Sequence, residues 1–232
     1  MNEQLHPAYI GQTGAGAISE QRNRVLRNTY WLLALSLVPT VLGAWIGVST
    51  GIVANMGIGI STIVFLAGAF GFMFAIEKFK HSSTGVVLLL GFTFFMGLML
   101  SRMLAAVLGF SNGASLVMYA FSGTAAVFFA MASLASVIKR DLTNMGKFLF
   151  VGAILLLVTG LINLFVQSSA LMITLAVIAI GLFSAFMLYD LKRVIDGGET
   201  NYVSATLAIY LDVYNVFQSL LALLGIYGGE RE

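Results

Sequence analysis

Cysteine is absent from this chain of 232 residues, and proline occurs only twice. Without cysteine there are no disulfides, no thiol catalysis and no thiolate metal sites. Charge is the next shortage. Only 9% of residues are Asp, Glu, Lys or Arg, against about 25% in soluble domains, too few to cover a water-facing surface. Histidine is nearly missing as well, and His6 and His81 both fall outside the apolar segments.

What the chain has in their place is apolar. Hydrophobic residues make up 59% and the mean hydropathy is +0.96. The 25 glycines and scarce prolines suit helices that pack closely in lipid, where small residues let backbones approach. The expectation is an all-α integral membrane protein with the lipid bilayer as its main partner.

A spanning helix needs about 20 mostly apolar residues. Seven segments qualify: Thr29 to Val48, Met56 to Ile76, Gly85 to Leu108, Ser115 to Ile138, Gly146 to Val166, Ala170 to Tyr189, and Tyr202 to Ile226. The expected organisation is a polar N-terminal tail over residues 1–28, a seven-helix membrane domain over 29–227 and a short C-terminal tail over 228–232. Gly11, Gly14 and Gly16 suggest that the first tail is flexible. A signal peptide would show an apolar run near the start with a small-residue cleavage site. The first apolar run instead begins at Tyr30 and is full length, so it reads as a retained helix.

Ten of the twelve basic residues fall on alternate loops. Arg22, Arg24 and Arg27 precede the first helix, Lys78 and Lys80 follow the second, Lys139, Arg140 and Lys147 flank the fourth loop, and Lys192 and Arg193 follow the sixth helix. Because Lys and Arg concentrate in cytoplasmic loops, the expected topology has the N-terminus cytoplasmic and the C-terminus outside, in a bacterial inner membrane. A re-entrant last segment would return the acidic tail inside. Charges distributed this way report topology, and no nucleic-acid partner is expected.

The seventh segment carries the chemistry. Ser204, Ala208, Asp212, Asn215 and Ser219 step by four, four, three and four, forming one small-and-polar stripe on a helix. Lipid has no use for such a stripe, so this helix is expected at the centre with six around it. Asp212 lies ten residues into the segment, roughly 15 Å deep by helical rise. An ionised, unpaired carboxylate there costs several kcal/mol, so it must be protonated, paired or hydrated. Asp190, near the end of the sixth segment, is the natural second acid, because the turn at Gly197-Gly198 folds the seventh helix back along the sixth. If the sixth helix continues towards Ile195, with Lys192 and Arg193 snorkelling to the interface, the two acids come within reach.

Two acids sharing a site titrate as a coupled pair, and one proton between them can act as a latch. The functional reading is a proton-sensitive gate or cation site. The plainer one has Asp190 capping an interfacial loop and Asp212 bonded to a hydroxyl such as Tyr189 or Tyr210. Arg102, near the outer end of the third helix, either snorkels or places positive charge in the outer half of a pathway, repelling cations. Gly109 to Gly113 formally matches G-x-S-x-G, but that motif needs a strand-to-helix elbow and a base, and here it is a short loop without histidine. Glycine pairs such as Gly43/Gly47 and Gly47/Gly51 read as packing grooves. No phosphate loop, metal-ligand cluster or haem ligand pair is present, and no enzyme is expected.

Certain stretches are more distinctive. Leu188-Tyr189-Asp190-Leu191, Gly197-Gly198-Glu199-Thr200-Asn201-Tyr202, and Ile209 to Phe217 (IYLDVYNVF) strongly resemble the Bax inhibitor-1 (transmembrane Bax inhibitor motif) family. Phe94 to Ser101 is similar to that family too, and Arg24 to Tyr30 resembles its bacterial YccA-like branch. The similarity runs from about Arg22 to Ile226. It implies a seven-helix bundle with the last helix central, and it matches Asp190 and Asp212 to paired aspartates that form a pH-responsive calcium-leak gate in some members. Calcium or protons are then the implied ions, with Asp190 and Asp212 as tentative calcium ligands. Lys78 is the nearest candidate for the basic partner that some members carry on the second helix, and Arg102 stands where relatives often have proline. Asn215 and Tyr189 are supporting candidates. Some YccA-like relatives lack the acid pair and are linked instead to restraining a membrane-bound AAA protease. The expected function is therefore a pH-sensitive calcium or cation leak channel, with a protease-binding regulator as the alternative.

Overall fold

A computed structural model of the chain describes the backbone of residues 7–229 and the side chains of residues 20–229. His6 and residues 230–232 of the tail lie outside the described residues. Seven α-helices follow one another: α1 Pro7–Thr50, α2 Ile58–Phe79, α3 Ser83–Leu108, α4 Gly113–Val137, α5 Met145–Val166, α6 Ser169–Ile195 and α7 Tyr202–Gly228. The described residues contain no strand. All seven helices are long and apolar enough to cross a membrane, α1 over Glu20–Thr50. A hydrocarbon core offers no water to backbone amides and carbonyls, so helices, which satisfy their own, are the stable choice.

Large apolar side chains cover the outer surface, Phe165 being 88% exposed and Phe148 79%. Lipid is the only solvent in which such a surface is stable.

The stretch containing Gly11, Gly14 and Gly16 differs from the flexible tail expected there: α1 is helical from Pro7. The sixth helix does continue to Ile195, and α7 runs unbroken from Tyr202 to Gly228. At one end Asn201 Nδ2 donates to Lys80 O, beside the start of α7. At the other, Asn112 Nδ2 donates to Gly228 O. The last helix therefore runs the length of the bundle and does not double back.

Contacts bring the basic segments to one end. Arg22 meets Ile195, Asn201 meets Lys80, and Asp141 of the α4–α5 loop lies near Lys192. This basic face is the end at which α7 begins.

The interior is shared by α3 and α7. α7 packs on α1, α2, α3, α4 and α6, and α3 packs on α1, α2, α4 and α7. Phe92, Met96, Tyr210, Ile209 and Leu221 are among the buried side chains. The most extensive contact joins α1 and α3, and glycine makes it possible. A Cβ at Gly43 would collide with Phe94 O, one at Gly97 with Thr40 O, and one at Gly47 with the Ser101 side chain. Gly43 and Gly47 thus form the expected groove, whereas Gly51, at φ +64°, terminates α1. The helix α5 packs against α6 alone among the described helices.

Candidate functional site: an aspartate pair at a charged cavity

The α6–α7 hairpin is built from local rules. Gly197 takes φ +80°, a left-handed conformation that suits glycine at a helix end, and the amides of Gly198 and Glu199 donate back to Arg193 O. Asn201 caps α7, its Oδ1 accepting from Val203 N at 2.9 Å and Ser204 N at 3.1 Å. With both ends pinned, α7 runs antiparallel beside α6.

That geometry sets Asp190 against Asp212, and the two side chains interact directly, carboxyl to carboxyl. Asp212 is 4% exposed, and its Oδ2 is buried without a hydrogen-bond partner. Two carboxylates this close repel one another when both are ionised, and the burial of Asp212 leaves that repulsion little screened.

Above the pair a cavity of about 250 Å³ opens at the basic end. Asp190 lines it, and α7 contributes Ser204, Ala205 and Ala208. Ser204, Ala208 and Asp212 follow at intervals of four, so this face of α7 leads from the mouth to the acid one turn below Ala208. The rest of the lining is charged: Glu77 and Lys80 from α2, Arg193 from α6, and Glu199 from the turn. Glu77 pairs with Lys80 and accepts from Ser204 Oγ at 3.3 Å. Arg193 pairs with Glu199 at 3.2 Å. These two ion pairs leave Asp190 as the lining acid closest to Asp212.

The other expected residues fall elsewhere. The Lys78 ammonium sits 5.7 Å from the Phe79 ring centre, while Lys80 lines the cavity. Arg102 Nη1 donates to Met56 O at 3.3 Å and reaches Ser61 Oγ at 3.5 Å, tying α3 to the start of α2 far from the acids. The Asn215 amide donates to Leu211 O at 2.7 Å within its own helix. Tyr189 lays its hydroxyl end over Gly146 at the start of α5. Tyr210, the other hydroxyl considered for Asp212, is engaged at 2.9 Å with Thr40 Oγ1, facing α1 and α3.

Glu77 goes unremarked in the sequence, and Lys80 and Asn201 enter there only as a topology charge and part of a signature, not as site residues. Asn201 carried a readable signal, a capping residue just before an apolar run. Among the described residues no cluster of three or more His, Asp or Glu side chains forms a metal site. Calcium takes six to eight oxygens, more than two carboxylates supply.

Comparison with known proteins agrees with this architecture. The family model described as "Inhibitor of apoptosis-promoting Bax1" matches residues 22–229. An uncharacterized protein of Neisseria meningitidis serogroup A is 38% identical over 212 residues, covering 90% of this chain and 93% of the relative. In Escherichia coli K12, the modulator of FtsH protease YccA is 34% identical over 203 residues, covering 88% and 90%. An inner membrane protein YccA of Escherichia coli O6:H1 matches at the same identity and the same coverage of both chains. The seven spanning helices, the α6–α7 signature and these matches together place the chain in the Bax inhibitor-1 family of multi-pass membrane proteins.

Proposed function

We propose that this protein is a pH-sensitive leak channel for calcium or another cation, gated by the Asp190–Asp212 pair. The observation that carries the reading is the carboxyl–carboxyl contact between two spanning helices, with Asp212 Oδ2 buried and unpartnered and Asp190 lining the cavity. Keeping an acid at that depth is costly, and intramembrane acids of this kind mark ion and proton pathways. With its shared proton, the pair holds α6 and α7 together and the path is closed. When the proton leaves, two negative charges repel the helices apart and attract a cation entering past Ala208. Flux therefore rises with pH. No chemical reaction is assigned to the site.

The basic face is cytoplasmic in this reading. The N-terminus is then inside and the C-terminus outside, in the inner membrane where the Escherichia coli O6:H1 relative is named.

The test is calcium flux into liposomes carrying the purified protein, across a pH series. Asp212→Asn cannot share the proton or supply the second charge, so both the flux and its pH response should fall to background. Unchanged flux and pH response in that variant would sink the mechanism.

A second reading is favoured by the K12 relative's name as modulator of a protease. Here the chain engages a membrane-bound AAA protease through its N-terminal segment and helix surfaces. Deleting Met1–Ser19 would then abolish the effect on proteolysis and leave any ion flux intact. Failure to co-purify with a protease would count against it.

A further inference from the structure

The basic-face ends of α1, α6 and α7 meet directly behind the cavity wall. Arg22 Nε donates to Ile195 O at 3.0 Å, and Arg22 Nη2 donates to the same oxygen. Ile195 ends α6, where carbonyls lack intrahelical partners and the helix dipole leaves partial negative charge, so a guanidinium is favourable there. Gly197 rests on the same side chain: a Cβ built on it would lie 3.1 Å from Arg22 Cδ. One turn along α1, Val25 is buried in a small apolar cluster with Val194 and Ala205, separate from the main core. Those two residues also line the cavity. Val194 and Ala205 thus touch Val25 on one side and form the cavity wall on the other.

We infer that the basic-face end of α1, through Arg22 and Val25, sets the position of the α6–α7 turn and so regulates access to the cavity above the acid pair. The turn's other supports are Asn201 on Lys80 O and beside His81, the Arg193–Glu199 pair, and its own bonds to Arg193 O. Arg22 is exposed, so its contact is held weakly enough for a partner that grips this stretch of α1 to release it. Release frees Ile195 O and Gly197 together and removes the backing from Val194 and Ala205, widening the mouth. The device concerns accessibility alone and is separable from what the cavity passes.

The chain has no cysteine, so Ala208→Cys introduces a sole thiol on the cavity wall. Its rate of modification by a small water-soluble maleimide is read in proteoliposomes of the full-length protein, with native Arg22 and with Arg22→Gln. Loss of one exposed charge-assisted contact should speed modification by about fivefold. Arg22→Lys, which keeps the charge on a single donor nitrogen, should fall between. Val25→Ala acts on the wall by a separate contact and should also raise the rate, which keeps the test open if Arg22→Gln folds poorly. Ser82→Cys, in the exposed turn between α2 and α3, should be modified at an unchanged rate. Equal rates at Ala208→Cys with and without Arg22 and Val25, or a parallel rise at Ser82→Cys, would overturn the proposal.

Discussion

Gly97 allows the sharpest test of how the bundle is held. It sits on α3 where a Cβ would collide with Thr40 O, with Thr40 C at 2.8 Å and Thr40 Cα at 3.0 Å. All three are backbone atoms, so no side-chain rotation relieves the contact. Gly97→Ala must push α1 away from α3 by about 1 Å, and a gap of that order forfeits a quarter to a half of the dispersion attraction across it. Overpacking of this kind costs about 1–3 kcal/mol, against about 1 kcal/mol of helix propensity gained by replacing glycine with alanine. The net expectation is a loss of up to about 2 kcal/mol. Thr40 also holds the Tyr210 hydroxyl, so the shift loosens α7 as well. Gly71 on α2 is the control, because a Cβ there meets nothing within 4 Å. Gly71→Ala should be neutral or stabilise by up to about 1 kcal/mol. Reversible unfolding in mixed micelles, followed by far-UV circular dichroism, measures both. If Gly97→Ala proves as stable as Gly71→Ala, helix proximity does not hold α1 on α3 and the packing argument fails.

The remaining predictions concern the ends of the helices. Asn201→Ala removes the cap from Val203 N and Ser204 N and the bond to Lys80 O, and should lower stability by about 1–2 kcal/mol in the same assay. Asn201→Asp keeps the acceptor but not the donor and should recover part of that loss; full stability in Asn201→Ala would show the cap to be dispensable. In the α4–α5 loop, the Thr143 hydroxyl and backbone N–H both donate to Asp141 Oδ1 and hold this carboxyl below its usual range. A depressed carboxylate contributes its stability above its unfolded value and loses it as pH falls through the folded one. NMR titration should find Asp141 low, and Thr143→Ala should move it up towards the ordinary value; an unmoved titration would refute the assignment.

Much of this was legible in the sequence, for identifiable reasons. Seven apolar runs of spanning length could be little else, and Gly197-Gly198 marked the hairpin that sets Asp190 beside Asp212. Of the stripe from Ser204 to Ser219, Ser204 and Ala208 line the cavity, with Ala205 beside them. What escaped depends on helix rotation and on distant chain segments. Lys78 and Lys80 stand two apart and so point about 200° from one another, and only packing decides that Lys80 faces the cavity. Nothing in the sequence around Glu77 pointed to Ser204, which donates to it from a helix more than a hundred residues away. The share of the interior taken by α3 was hidden because large apolar residues fall on every side of it. The helical stretch from Pro7 carries too many polar residues and glycines for periodicity to reveal it. Arg22 read as a topology signal, and nothing near it in sequence announced Ile195.

The isolation of α5 has a consequence for life in membranes of different composition. A helix held by a single neighbour has its tilt set by one contact, whereas α3 and α7 are each constrained from several directions. When the surrounding lipid thins or thickens, spanning helices accommodate the mismatch by tilting, and the least braced one yields first. Adjustment to the host lipid is therefore concentrated at the rim of this protein, and the antiparallel helices that carry the two acids are spared most of it.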